Sequence, residues 1–194
     1  MNAKEAIRLA GLLGVIGLVL GAVPVRAEDE KTFTIADGAV ELPVPAGWQR
    51  KEPRYRIIEH EFEVAPAEKD ENPGRVTVTG ATGSIEDNIN RWAGQFSQPD
   101  DSNSRDKMKI ERKTIAGQDV TLVDISGTYD DKPGPFAPGR GVQRENYRML
   151  AAIIQTKKDG KSTGNYFIKF YGPNATVSGQ QANFTKMIEG LKAK

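Results

Sequence analysis

Val120-Thr121-Leu122-Val123-Asp124-Ile125-Ser126-Gly127-Thr128-Tyr129 is the stretch that decides the fold. Side chains alternate along a strand, so Val120 and Leu122 point to one face while Val123 and Ile125 point to the other. A strand that is apolar on both faces belongs in the middle of a sheet covered on both sides. Residues 147–155 read the same way, because Met149, Leu150, Ala151, Ala152, Ile153 and Ile154 leave no solvated face. Two such strands require packed layers above and below the sheet.

Working outward, Ala116-Gly117 reads as a two-residue hairpin turn joining strands at 108–115 and 118–128. That turn sets Lys109 opposite Asp124. A carboxylate on a covered strand is costly without a partner, so a cross-strand Lys109–Asp124 ion pair is predicted. Upstream, short strands are read at 32–35 and 40–44, and a further strand places Ile58, His60, Phe62 and Val64 on one face and Glu59, Glu61 and Glu63 on the other. Residues 65–73 form a polar loop, and 75–79 return as a strand with Val76 and Val78 inward. Ser84 caps a helix, with Asp87 at the reciprocal position, and Ile85, Ile89, Trp92 and Phe96 make its apolar side to an end near Phe96. A hydrophilic loop covers 97–107. Downstream, 130–144 is a loop rich in proline and glycine, 165–171 is the last strand, and Val177, Phe184, Ile188 and Leu191 stripe a terminal helix. Four strands, a helix, four strands and a helix make an α+β fold: an α/β/α sandwich on a central, mostly antiparallel sheet with two main helices.

The segments Pro45-Ala46-Gly47-Trp48, Gly83-Ser84-Ile85-Glu86-Asp87-Asn88-Ile89-Asn90-Arg91-Trp92-Ala93-Gly94-Gln95-Phe96, Asn146-Tyr147-Arg148-Met149-Leu150 and Phe170-Tyr171-Gly172-Pro173, with the opening strand, resemble an uncharacterised family of exported bacterial proteins. The likeness covers about residues 40–192. The element order is also similar to the fold of the Mog1 and PsbP proteins. Known members of that fold bind a small GTPase or the photosystem II complex, so the resemblance implies a non-enzymatic binding or assembly module, with no residue role carried over.

Composition narrows the function. With no cysteine and one histidine in 194 residues, disulfide scaffolds, iron–sulfur clusters and thiolate zinc sites are excluded, and no metal or other cofactor is expected. The formal net charge of +1 gives no electrostatic footprint for nucleic acid. Residues 1–27 have the layout of a signal peptide: Lys4 and Arg8, an uncharged run over 9–25, and Val25-Arg26-Ala27 as the cleavage signal near Ala27. The rival is an uncleaved anchor, weakened by four glycines in the run. Cleavage would leave 28–194 as a single Mog1/PsbP-like domain, periplasmic or extracellular, with no stable membrane insertion and large enough to fold without staples.

Sites are scarce. His60 points inward by strand parity and reads as a packed, hydrogen-bonded core-edge residue. The Glu59, Glu61 and Glu63 stripe is best explained by Lys or Arg on the adjacent strand. Gly80-Ala81-Thr82-Gly83-Ser84 lacks the lysine of a phosphate loop and is accounted for by capping. Asp101-Ser102-Asn103 fails as a calcium loop, since Arg105 and Arg112 occupy ligand positions. No catalytic, cofactor-binding or metal residue is assigned. The expected interface comprises Asn88, Arg91 and Gln95, recurring along the first helix, with Phe136 and Arg140 of the 130–144 loop. The leading expectation is a binding or assembly module of the cell envelope whose partner is another envelope protein or complex. The alternative is a small periplasmic hydrolase or small-ligand-binding protein using a groove beside the 130–144 loop.

Overall fold

The computed structural model describes residues 31–81, 83–132 and 139–194. The proposed signal segment and Phe136 lie outside the described residues. Among the described residues, no helix is long and apolar enough to cross a membrane.

The main sheet is antiparallel throughout, with strands β3 (Trp48–Lys51), β4 (His60–Val64), β5 (Gly74–Ala81), β10 (Lys161–Pro173), β9 (Val142–Lys158) and β8 (Gln118–Asp131) in that order. Strand β8 is long enough to pair with β7 (Lys109–Ile115) along one half and with β6 (Phe96–Ser97) along the other. Central position follows from the sequence: β9 and β10 share a ladder, and Met149 to Ile154 are all buried. One face carries Phe62, Val76, Val78, Val120, Leu150, Ile154, Ile168 and Phe170. It packs against helices α3 (Asn174–Gly179) and α4 (Gln181–Glu189) and a separate small sheet of β1 (Thr32–Ile35), β2 (Val40–Pro43) and β11 (Lys192–Ala193). The other face carries Val123, Ile125, Met149, Ile153 and Phe167 beneath helix α1 (Ile85–Ala93). The structure is thus the expected α+β sandwich, with a small second sheet added to one layer.

The Ala116-Gly117 hairpin has the predicted register, because both turn residues adopt left-handed φ values of 46° and 79°, the geometry that matches strand twist. Lys109 does lie opposite Asp124 in the ladder. The ion pair forms elsewhere. Arg148 on β9 donates from Nε and Nη2 to the two Asp124 oxygens at 2.9 and 2.8 Å, and it also reaches Ser178 and Gln181. A planar fork makes two bonds to a carboxylate where an ammonium makes one, so Arg148 takes Asp124 and Lys109 stays exposed in water.

Other expectations are corrected by local chemistry. Helix α1 stops at Ala93, three residues short of Phe96, because Gly94 caps it and Phe96 instead pairs with Tyr129, ring centroids 5.2 Å apart. The terminal helix is two helices that meet at Gln180, just after Gly179. The 97–107 loop contains a short helix, α2 (Ser104–Lys107). The 130–144 loop is shorter than expected: β8 runs to Asp131 and β9 starts at Val142. Polar pairs close this hairpin where no apolar alternation signals it: Asp130 accepts from the Gly141 N–H at 2.8 Å, and Arg144 bonds Asp131 at 3.2 Å.

Candidate binding cleft

Helix α1 covers only part of its sheet face. Beyond Trp92 the covering layer ends, and strand alternation still presents side chains there. Arg75 lies opposite Tyr171, and Thr77 opposite Lys169, across the β5–β10 ladder. Tyr129 of β8 approaches Tyr171 with ring centroids 5.2 Å apart. These residues floor a cleft of about 160 Å³, rimmed by Tyr55, Ile57 and Arg91. Arg75 and Tyr171 also line an adjoining, wider depression of about 470 Å³ that reaches Asp131, Arg144 and Tyr147.

Two of the cations in this cleft differ in what they have left to offer. Arg75 is committed: Nε and Nη2 donate to Glu61 at 2.8 and 3.0 Å, and Nη1 donates to the Tyr171 hydroxyl at 2.7 Å. Glu61, only 3% exposed, also accepts the Arg54 N–H at 3.1 Å. Burial works against charge on both partners, yet their forked bonding keeps the guanidinium ionised and holds the carboxyl below its usual range. Glu61 was expected on a solvated carboxylate stripe and is instead enclosed. An arginine on the adjacent strand explains it, as Lys51 at 3.0 Å explains Glu63.

Lys169 has no such partner. Its Nζ donates to Gln95 Oε1 at 3.0 Å and lies 5.2 Å from the Tyr171 ring centre and 5.9 Å from that of Trp92. Among the described residues no carboxylate makes an ion pair with it. Burial, reinforced by the like charges of Arg91 and Arg75, pushes its amine down to about 7. Burial also raises the Tyr129 and Tyr171 phenols, so both remain neutral hydrogen-bonding groups at physiological pH. The rim has a distinctive composition. Among the described residues the exposed large hydrophobic ones are Tyr55 at 38%, Ile57 at 55% and Val142 at 57%. The first two border this cleft. The third pairs with Asp131 and lies two positions from Arg144 on the same hairpin, and those two partners line the adjoining depression.

The residues expected at an interface divide. Arg91 is exposed on the rim. Asn88 is buried, its Nδ2 donating to the Ser84 carbonyl at 2.8 Å and its Oδ1 accepting from Arg91 at 2.5 Å, so it is removed from any exposed row. Gln95 is half-buried and holds Lys169. On this helix Arg91 and Gln95 thus both border the cleft. Arg140 is exposed and lines neither the cleft nor the adjoining depression. Lys169, Tyr171, Arg75, Tyr55 and Ile57 were missed from sequence. His60 lies against Phe33 of β1, ring centroids 5.1 Å apart. Its Nε2 donates to the Thr34 carbonyl at 2.8 Å and Nδ1 accepts from Arg50 at 3.0 Å, the packed and bonded state its parity suggested. Among the described residues no group of three or more His, Asp or Glu could hold a metal ion.

The chain thus presents an α+β sandwich with a cationic, aromatic cleft at the open end of one sheet face. No family model and no curated protein matches it. Among solved structures it is similar to the solution structure of cyanobacterial PsbP (CyanoP) from Synechocystis sp. PCC 6803, with a TM-score of 0.48 and 12% identity over 84% of this chain and 91% of that one. It is also similar to a crystal structure from Bacteroides thetaiotaomicron, with a TM-score of 0.41 and 13% identity over 84% of this chain and 48% of that one.

Proposed function

We propose that this chain is an exported, non-enzymatic binding module of the cell envelope, and that it engages another envelope protein through the Lys169 cleft. The observation that carries this reading is Lys169 itself, a half-buried amine held by Gln95 and two aromatic faces with no ion-pairing carboxylate among the described residues. Such a group is costly in isolation and is relieved when a partner supplies the missing charge. Exposed Tyr55 and Ile57 beside it are the kind of rim that anchors protein interfaces. Export rests on the layout of residues 1–27. The wider depression at Asp131, Arg144 and Tyr147 supports the second reading, a small ligand held beside the 130–144 hairpin.

A photo-crosslinking residue placed at Ile57 in the full chain, irradiated in living cells, tests the proposal. A discrete protein adduct is expected from position 57, reduced by Lys169→Gln, with none from Lys161 at the far hairpin. No adduct at 57, or the same adducts from both positions, contradicts it.

A further inference from the structure

We propose that the Lys169 cleft is a carboxylate site, built to take one acidic side chain of the protein partner with Lys169 and Arg91 holding the anion and Tyr55 and Ile57 flanking its neighbours. This inference rests on the proposed function and specifies the chemistry of the partner.

Three features select a carboxylate. The cleft has a volume of about 160 Å³, enough for one side-chain head and little more. Its strongest anion binder, Arg75, is already satisfied by Glu61 and Tyr171, leaving Lys169 and Arg91 as the cations without an ion pair among the described residues. A carboxylate offers two oxygens, one to each of these cations. The third feature is the floor. Lys169 Nζ is held by Gln95 and by two aromatic faces, which fix its position and carry no formal negative charge.

Binding is then coupled to proton uptake. The charged or titratable groups facing Lys169 are Arg91 on α1, Arg75 on β5 with Glu61 behind it on β4, Tyr171 on β10, Tyr129 on β8, Lys132 just after β8, and Tyr55 on the rim. The Tyr129 and Tyr171 phenols are held protonated by burial, and Arg75 is held charged by Glu61. Lys169 is therefore the group that changes charge near neutrality. An anion beside it favours its protonated form, so affinity is flat from about pH 5.5, where the acid is ionised, to about pH 7 and falls by up to tenfold per pH unit above it, at most about a hundredfold between pH 6 and pH 9.

The test uses the full chain and a peptide, acetyl-Phe-Glu-Phe-amide, with its Gln counterpart, benzoate, benzamide and inorganic phosphate as comparison probes. Trp92, whose ring centre is 5.9 Å from Lys169 Nζ, reports occupancy by fluorescence in a Trp48→Phe background, and calorimetry supplies a second readout. The Glu peptide is expected to bind at least tenfold more tightly than the Gln peptide, benzoate more tightly than benzamide, and phosphate more weakly than either acid. Lys169→Gln removes at least tenfold of the affinity and its pH dependence. Arg91→Gln, which loses the guanidinium's bond to Asn88 and a like charge beside Lys169, costs several-fold and retains a pH dependence whose midpoint moves upward. Equal affinity for the acid and amide probes, phosphate binding more tightly than the acids, a pH-independent affinity, or no binding of either acid at 10 mM overturns the inference. So does benzoate binding without peptide binding, which assigns the anion to a free small acid. An adduct at position 57 in cells with no acid binding in vitro defeats the carboxylate assignment while the proposed function stands. Peptide binding without an adduct does the reverse.

Discussion

Replacing Lys169 with methionine should make the protein more stable. Methionine keeps the length of the stem and the aromatic contacts but removes the enclosed amine. Lowering that amine from its ordinary 10.5 to about 7 corresponds, at about 1.4 kcal/mol per tenfold, to about 5 kcal/mol as an upper bound. The side chain is half-buried and keeps some solvent contact, and the substitution forfeits its bond to Gln95. A gain of about 2–3 kcal/mol at pH 6 is therefore expected, or on the order of 4–12 °C in Tm for a domain of this size. The sign with pH follows from proton linkage. Between about 7 and 10.5 the unfolded chain holds a proton on Lys169 that the folded chain has lost, so wild-type stability rises with pH across that window. The buried tyrosines oppose this only near and above pH 10, where the unfolded phenols ionise first. Urea unfolding of both proteins from pH 6 to 9.5 should show a rising wild-type curve and a flatter, higher Lys169→Met curve. Loss of stability at pH 6 in the variant, or parallel curves, would refute the reasoning. A wild type held below its attainable stability by one residue is the pattern expected of a binding group retained for function.

Three further outcomes test the supporting structure. Glu61→Gln leaves the Arg75 guanidinium without its anion and should cost about 2–4 kcal/mol in chemical denaturation at pH 7. Because the folded carboxyl of Glu61 is lowered from 4.5, its contribution is present above that pH and is lost as pH falls through the folded value, so the variant should lose that part of the acid transition. Arg148→Met strands Asp124 between β8 and the α3–α4 layer and should cost about 1–2 kcal/mol by the same measurement, with Lys109→Met near neutral. At Gly172, an added Cβ would meet the Gly74 Cα at 2.9 Å, so Gly172→Ala should cost about 1–3 kcal/mol and shift NMR resonances of neighbouring Arg75 and Tyr171.

The architecture was legible because its evidence is local and periodic. Apolar groups on both faces of 120–125 and 147–154 fixed the covered centre of the sheet, and Ala116-Gly117 fixed a register that the ladder reproduces residue by residue. Polar closure of the β8–β9 hairpin and the break at Gln180 were not legible, since neither alters hydrophobic period. The small sheet with β11 pairs residues from opposite ends of the described chain, which no local pattern announces. For the cleft, the rule that singled out Asp124 as a charge on a covered strand applies equally to Lys169, which alternates with Phe167 and Tyr171. Applied there, it would have found the central residue. Tyr55 and Ile57 carried no signal, because their importance comes from α1 ending short of them.

Direct titration of the Lys169 amine by NMR of its side-chain carbon beside the charge, with Lys169→Gln for assignment, bears most closely on the whole account. A midpoint near 7 in the free protein, moving upward when the Glu peptide is added, is the predicted result. A midpoint near the ordinary 10.5, or one that the peptide leaves unmoved, would contradict it.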